Sequence, residues 1–368
     1  MDHYERCHEL IDEAYRLPDG EAQISLAEEA VRLSDMVEDL ELQVDARELL
    51  VHAAQFGGYA EKSIVAFSWL LARYDEDEDS VDPYDLMWKY KWIADDLTTF
   101  VAISRERIEA SFEDMSARMM ALGFDMKPVY GIRCEASIAM GDLDEAAKWY
   151  DKWLRAPSGA ISDCEACTEN SKVSHALNLD GLAAALEHFG ALMRRELSCN
   201  SVPHSTHSLL MRPLLCAGRL EEAVEHHRKG WELVREDGSQ QWTHFRHMSF
   251  LALTHNFARA LRQLERFADY GYKSREDSTR MFWFQEASIT LRALADAQSE
   301  AHAIILPQGF PGWREDGRYD VGELADLCAS EARKIAKLFD QRNGNDYVST
   351  RLEKELGSVK FAQAHPIT

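Results

Sequence analysis

The chain has 368 residues, of which 46% are hydrophobic, and it contains only 19 glycines and 9 prolines. This composition supplies ample material for a core and argues against a β-rich or disordered chain. It has 64 acidic and 41 basic residues, which gives a formal net charge of −23. This charge disfavours nucleic acids and anionic membrane surfaces as binding partners, because proteins bind both through Lys and Arg.

The predicted elements are helices along the whole chain. Apolar residues recur at helical spacing over residues 22–37, 40–54, 84–100, 105–122, 276–297, 322–339 and 347–355. No stretch shows the alternation of a strand. The longest apolar stretch, 64–72, is too short to cross a bilayer, and the first residues lack the apolar region of a signal peptide. We therefore expect a cytoplasmic protein with reduced cysteines.

One turn-and-helix pattern occurs four times in the middle of the chain. A turn is followed by a leucine or phenylalanine and, three residues later, by an alanine. These alanines recur at intervals of 37–39 residues and are Ala146, Ala185, Ala223 and Ala260. Such a turn ends one helix and caps the next, and the small alanine suits a close crossing of two helices. The pattern predicts stacked antiparallel helical hairpins.

These hairpins predict an all-α fold, a tetratricopeptide-like α-solenoid that follows a right-handed superhelix. The interval exceeds the tetratricopeptide norm of about 34 residues, so we expect longer helices or loops. Residues 1–126 are predicted to be N-terminal hairpins continuous with the solenoid, 127–298 the repeats, and 299–368 a long loop with capping helices. Within the last part, loop 307–319 is best interpreted as a linker; the alternatives are a segment that crosses the concave face or binds a partner.

The sharpest local feature is a set of cysteines and a histidine with metal-ligand spacing. Cys164 and Cys167 form a Cys-x2-Cys pair, and Cys199 and His204 follow after 31 residues as Cys-x4-His. Three Cys and one His are a common composition of a closed tetrahedral zinc site. We therefore predict a structural zinc ion, with His207 either as a reserve ligand or as a residue that contacts one of the ligands.

Local signals place both ligand pairs at helix starts. Ser162 and Glu165 resemble a capping box, which would begin a helix beside the first pair. Pro203 suits the first position of a helix, which would put the following histidine in a first turn. A helix N-terminus also favours the thiolate form that binds metal.

Other interpretations of these residues remain open. Free cysteines are commonly small buried hydrophobes, so the thiols could be unrelated. A thioredoxin-like redox site is disfavoured because no βαβ unit surrounds the pair. A zinc deaminase is disfavoured because no proline precedes the first cysteine and no His-x-Glu lies nearby.

Further histidines invite an enzymatic interpretation. His244 and His247 would lie one helical turn apart, and His226, His227 and His255 fall on neighbouring repeats. We favour neutral structural histidines over metal ligands here. The sequence also lacks a glycine-rich phosphate loop and a nucleophile elbow, so catalysis is less expected than binding.

Two motifs resemble those of a known group of proteins. Residues 163–167 read D-C-x-x-C, and residues 199–206 read C-x-x-V-P-H-x-T. Both resemble a poorly characterised subgroup of bacterial tetratricopeptide-repeat proteins, and the likeness spans about residues 22–284. The resemblance implies the solenoid fold and no established activity.

The function predicted from these features is a protein- or peptide-binding scaffold or adaptor that uses the concave groove of the solenoid. Its acidic walls would select basic partners. The alternative is a peptide- or ligand-responsive regulator that acts through protein contacts. A second alternative is a metal-dependent enzyme that uses the Cys/His site.

Overall fold

This computed structural model describes residues 2–298 and 302–367, and over these residues the chain is all-α apart from one short β-ladder. The all-α prediction is confirmed. Among the described residues, no helix combines the length and apolar character needed to cross a membrane.

The described residues form seventeen α-helices: α1 (His3–Ala14), α2 (Glu21–Val37), α3 (Leu40–Gly57), α4 (Ala60–Glu76), α5 (Pro83–Asp96), α6 (Arg105–Ala121), α7 (Lys127–Met140), α8 (Leu143–Arg155), α9 (Glu165–Leu179), α10 (Leu182–Arg194), α11 (His204–Cys216), α12 (Leu220–Val234), α13 (Gln241–Leu253), α14 (Phe257–Lys273), α15 (Asp277–Ala297), α16 (Val321–Asn343) and α17 (Tyr347–Leu356). Two short 3-10 helices, Leu97–Thr99 and Gly357–Phe361, and two strands, β1 (His302–Ala303) and β2 (Arg318–Tyr319), complete the elements.

The chain divides into two compact units. Unit 1 comprises Met1–Ala136 and Lys148–Ser162, and unit 2 comprises Ser137–Ala147 and Asp163–Thr368. In unit 1 each helix from α1 to α6 packs against the next, and in unit 2 the pairs α9–α10, α11–α12 and α13–α14 form hairpins. This packing of neighbours is that of an all-α helical repeat protein. The tetratricopeptide class, the right-handed path and the division at residues 126 and 298 stay predictions.

The four turns of the repeated pattern reverse the chain through one residue of positive φ each. These residues are Gly141, Gly181, Gly218 and His255. In every turn a main-chain N–H donates a hydrogen bond of 2.6–2.9 Å to a carbonyl five residues earlier, in the preceding helix. This bond satisfies a carbonyl that the helix end leaves open. Glycine adopts the left-handed conformation without strain, and histidine is among the few other residues that tolerate it.

Each alanine of the pattern lies near the start of the helix that follows the turn. All four are fully buried, with 0% exposure: Ala146, Ala185, Ala223 and Ala260. Three of them, those of α10, α12 and α14, belong to one continuous apolar core of unit 2. A larger side chain at such a position would separate the helices, because protein interiors are close-packed.

The loop at 307–319 is folded onto its neighbours. Strands β1 and β2 pair antiparallel, with His302 opposite Tyr319, and so close the loop at its base. Phe310 is buried and packs against Tyr272 and Trp283, with ring centroids 5.7 and 5.8 Å apart. The loop leads into α16, which packs along α15.

Residues 345–367, which we call the C-terminal strap, run along unit 2. At one end the Asn345 side chain donates to the carbonyl of Met140 over 2.7 Å. In the middle, the carboxylate of Glu355 accepts a hydrogen bond from the guanidinium group of Arg212 over 2.7 Å. At the other end the strap reaches the α13–α14 turn, where Ile367 is buried. The strap therefore ties together helices that are far apart in sequence.

Helices α14 and α15 approach each other so closely at Gly271 that this position has no room for a side chain. A Cβ atom on Gly271 of α14 would lie 2.1 Å from the ring of Trp283, which is fully buried. We expect Gly271→Ala to lower the free energy of unfolding by about 1–3 kcal/mol, because overpacking outweighs the better helix propensity of alanine. Urea denaturation measures the change.

Gly190→Ala in α10 is the matched control. Its Cβ would meet only the flexible end of Arg194, at 3.0 Å, so the substitution should stabilise the chain by roughly 0.5–1 kcal/mol. Equal stabilities of the two variants would contradict the close approach of α14 and α15.

Candidate metal centre

Three cysteines from two segments of unit 2 meet at one place. The Sγ atoms of Cys164, Cys167 and Cys199 all lie within 4.8 Å of one another. Those of Cys167 and Cys199 are 3.3 Å apart. All three thiols are free. We call this group the thiol tripod; it is the arrangement that a metal ion with sulfur ligands requires, and it could hold one.

The first two thiols are positioned by the start of α9. Cys164 is the N-cap residue, and its Sγ accepts a hydrogen bond of 3.4 Å from the N–H of Cys167. The predicted capping box at Ser162 is therefore wrong. The Ser162 hydroxyl donates a hydrogen bond instead to Asp125 over 2.7 Å, within unit 1.

The third thiol is held by the loop between α10 and α11. The N–H of Cys199 donates to the carbonyl of Val202 over 3.0 Å. Val202 is buried together with Ala166 of α9 and Leu192 of α10. This apolar cluster fixes the loop against the first turn of α9 and so brings Cys199 to Cys167, 32 positions earlier in the sequence.

The thiols differ in acidity. Burial raises the pKa of Cys167, and its hydrogen bond with Cys199 adds to the effect. Burial also opposes ionisation of Cys199, but the N–H of Ser201, the Cys167 thiol and the N–H of Val202 outweigh it and lower the pKa of Cys199. The expectation that the helix start favours a thiolate therefore fails for Cys167. Cys199 is the thiol of this pair poised to ionise.

His204, the predicted fourth ligand, lies outside the tripod. It is the first residue of α11, as expected from Pro203, and it is buried. Burial lowers its pKa, against a hydrogen bond with the side chain of Gln240. The Nε2 atom of His204 has no partner among the described residues. The structure thus brings together three of the four predicted ligands.

Four other histidines of α11–α13 form two buried pairs. The Nδ1 atoms of His207 and His226 are 3.0 Å apart, and those of His227 and His247 are 2.9 Å apart. Burial lowers the pKa of His207 and His227 to about 3 and that of His226 to about 4. His207 therefore forms a hydrogen bond with His226 and is not part of the tripod. These imidazoles are neutral, and the pairs join neighbouring helices.

A charged centre in unit 2 has no counterpart in the sequence analysis. Arg212 of α11 contacts both Glu286 of α15 and Glu355 of α17. Glu286 is fully buried and also accepts from Ser249 of α13. These residues are far apart in sequence and form no motif, so no local signal could have found them.

In comparisons with known proteins, no family model and no curated protein matches this chain. The likeness of its cysteine motifs to a subgroup of bacterial tetratricopeptide-repeat proteins therefore stays a prediction.

The buried histidines make stability depend on pH. Imidazoles of the unfolded chain titrate near pH 6.5, whereas the pKa values of His207, His226 and His227 are about 3 to 4 when folded. The unfolded state therefore binds more protons over this window, so the free energy of unfolding falls as the pH drops below about 6.5. Each such group contributes about 1.4 kcal/mol per pH unit. Urea denaturation between pH 7.5 and pH 5 measures the slope.

His227→Phe should reduce this slope by close to one proton. His255→Asn is the matched control: His255 is exposed and has a φ of 59°, a conformation that asparagine tolerates, and the slope should stay unchanged. A free energy of unfolding that is constant across the pH range would contradict the neutral, buried state of the pairs.

Proposed function

We propose that this chain is a protein- or peptide-binding scaffold, and that a zinc ion on the thiol tripod stabilises its second unit. The observation that carries peptide binding is the end of the C-terminal strap. There the chain already holds one of its own non-helical segments against a hairpin turn, so the fold has the means to hold another.

The contacts of that segment are of the kind that recognise any extended peptide. The N–H groups of Gln363 and His365 donate to the carbonyls of Leu253 and Thr254 over 2.8 and 3.1 Å, and the N–H of Ile367 donates to the Asn256 side chain over 3.1 Å. Alternate N–H groups thus point to the turn, as in an extended chain. Main-chain bonds of this type supply affinity with little dependence on sequence.

The net charge supports a basic partner. With 64 acidic against 41 basic residues, the chain attracts segments rich in Lys and Arg at long range and repels acidic ones. The same field supports the expectation that nucleic acids and anionic membranes are not partners.

Zinc is the metal that the tripod's chemistry favours. Thiolates are soft ligands, and a tetrahedral site with three Cys and one His is common for structural zinc. His204 is the proposed fourth ligand; it would turn from Gln240 toward the tripod on metal binding. Such a site would link the start of α9 to the loop before α11 and so join two neighbouring hairpins.

We expect untagged chain purified without chelator to contain about one zinc ion per molecule. Cys167→Ser should lose the zinc and lower the unfolding temperature, because a ligand is removed. Elemental analysis and thermal unfolding, each with and without a chelator, measure both effects. Cys216→Ser is the matched control, since Cys216 is a partly buried thiol of α11 outside the tripod. Zinc-free folded protein that is indifferent to chelator would refute the zinc site.

Cobalt(II) in place of zinc distinguishes a structural from a catalytic site. If His204 is the fourth ligand, His204→Ala changes the visible spectrum of the cobalt form and His207→Ala does not. If the fourth position is open, His204→Ala has no effect and added imidazole does. The second result would favour the alternative of a metal-dependent enzyme, which the exposure of Cys164 supports.

Affinity capture from the native cells tests the scaffold itself. A stoichiometric protein with a basic segment should be retained by the folded chain at low salt. It should be released near 1 M salt, where the Debye length falls to about 3 Å. A folded chain that captures no stoichiometric protein, or whose capture is indifferent to salt, would overturn this proposal.

A further inference from the structure

The side chain of Arg246, on α13, lies against two aromatic rings and leaves its N–H donors without an acceptor among the described residues. It makes no hydrogen bond or ion pair with any described residue, and its guanidinium carbon lies 5.1 Å from the ring centroid of Phe282 and 5.8 Å from that of Trp242. These two rings stack with centroids 4.4 Å apart and an interplanar angle of 22°. An arginine thus rests against an aromatic pair with its N–H donors unused.

The site is partly accessible to solvent. Arg246 is half-buried, and Trp242 is 38% exposed. Because the guanidinium carbon lies 5.8 Å from the Trp242 ring centroid, one small ligand is able to contact both side chains.

Charges of both signs act on Arg246. The guanidinium groups of Arg212 and Arg351 repel it, and the carboxylates of Glu286 and Glu355 attract it. Both carboxylates already accept hydrogen bonds from Arg212. Arg246 makes no ion pair with either of them.

Arg246 is held in this position at a cost. Burial lowers its pKa to about 10, and the charges of Arg212 and Arg351 add to the effect against the attraction of Glu286. A positive charge that is desolvated and repelled in this way is stabilised by a bound anion.

We propose that Arg246 and Arg351 bind the carboxylate of a small organic acid whose apolar or aromatic part lies on Trp242 and Phe282. The planar guanidinium group matches a carboxylate through two parallel hydrogen bonds. A monoanion suits this site better than a dianion, because Glu286 and Glu355 would repel a second negative charge. This site is separate from the thiol tripod and does not depend on the proposed scaffold function.

Phenylacetate is a suitable probe, and phenylacetamide is its uncharged control of the same shape. Isothermal titration of the full chain should give one site for phenylacetate and no measurable binding of the amide. Because charge-assisted bonds to the carboxylate are lost, Arg246→Gln should weaken binding at least about tenfold. Arg351→Gln should weaken it as well, while Arg262→Gln, at an exposed position of α14, should not.

Thermal unfolding separates binding from a purely structural role. Arg246→Gln removes a half-buried charge that makes no hydrogen bond or ion pair with the described residues, so its unfolding temperature without ligand should equal or exceed that of the parent chain. Phenylacetate should raise the unfolding temperature of the parent chain more than that of Arg246→Gln. Two results would each overturn the proposal. The first is a parent chain that does not bind phenylacetate, or that binds the amide equally well. The second is undiminished binding in both Arg246→Gln and Arg351→Gln.

Discussion

The close crossing of two helices at a fully buried alanine is the contact on which the rest of this structure depends. Ala185, Ala223 and Ala260 each let the second helix of a hairpin approach the first without a gap. Because the hairpins of unit 2 then stack as neighbours, α9 and α11 begin near each other. The meeting of Cys164 and Cys167 with the loop before α11 is a consequence of that stacking.

Local signals made most of the fold predictable. The helix predicted at 105–122 is Arg105–Ala121, and that predicted at 276–297 is Asp277–Ala297. Both predictions depend on apolar spacing and on caps within a few residues, which the unfolded chain already contains. The ladder of β1 and β2 was missed because its two-residue strands are too short for any alternation.

The candidate site was predictable only in part, because side-chain direction depends on contacts distant in sequence. The spacing of the cysteines correctly predicted that the three thiols meet. The spacing could not show that Ser162 donates a hydrogen bond to Asp125, or that His204 forms a hydrogen bond with Gln240. The sequence also could not show that Arg246 lies against Trp242 and Phe282, because packing alone decides which side chains an arginine contacts.

The ion pair between Arg212 and Glu355 has a consequence for the order in which the molecule is made. Its two residues are 143 positions apart, and at about 5–20 residues per second a ribosome needs on the order of 10 s to make that length. Helices α11–α15 emerge first and can pack while Glu355 is still absent. The nascent intermediate therefore carries an arginine that lacks one of its two carboxylate partners until Glu355 has been made and has emerged.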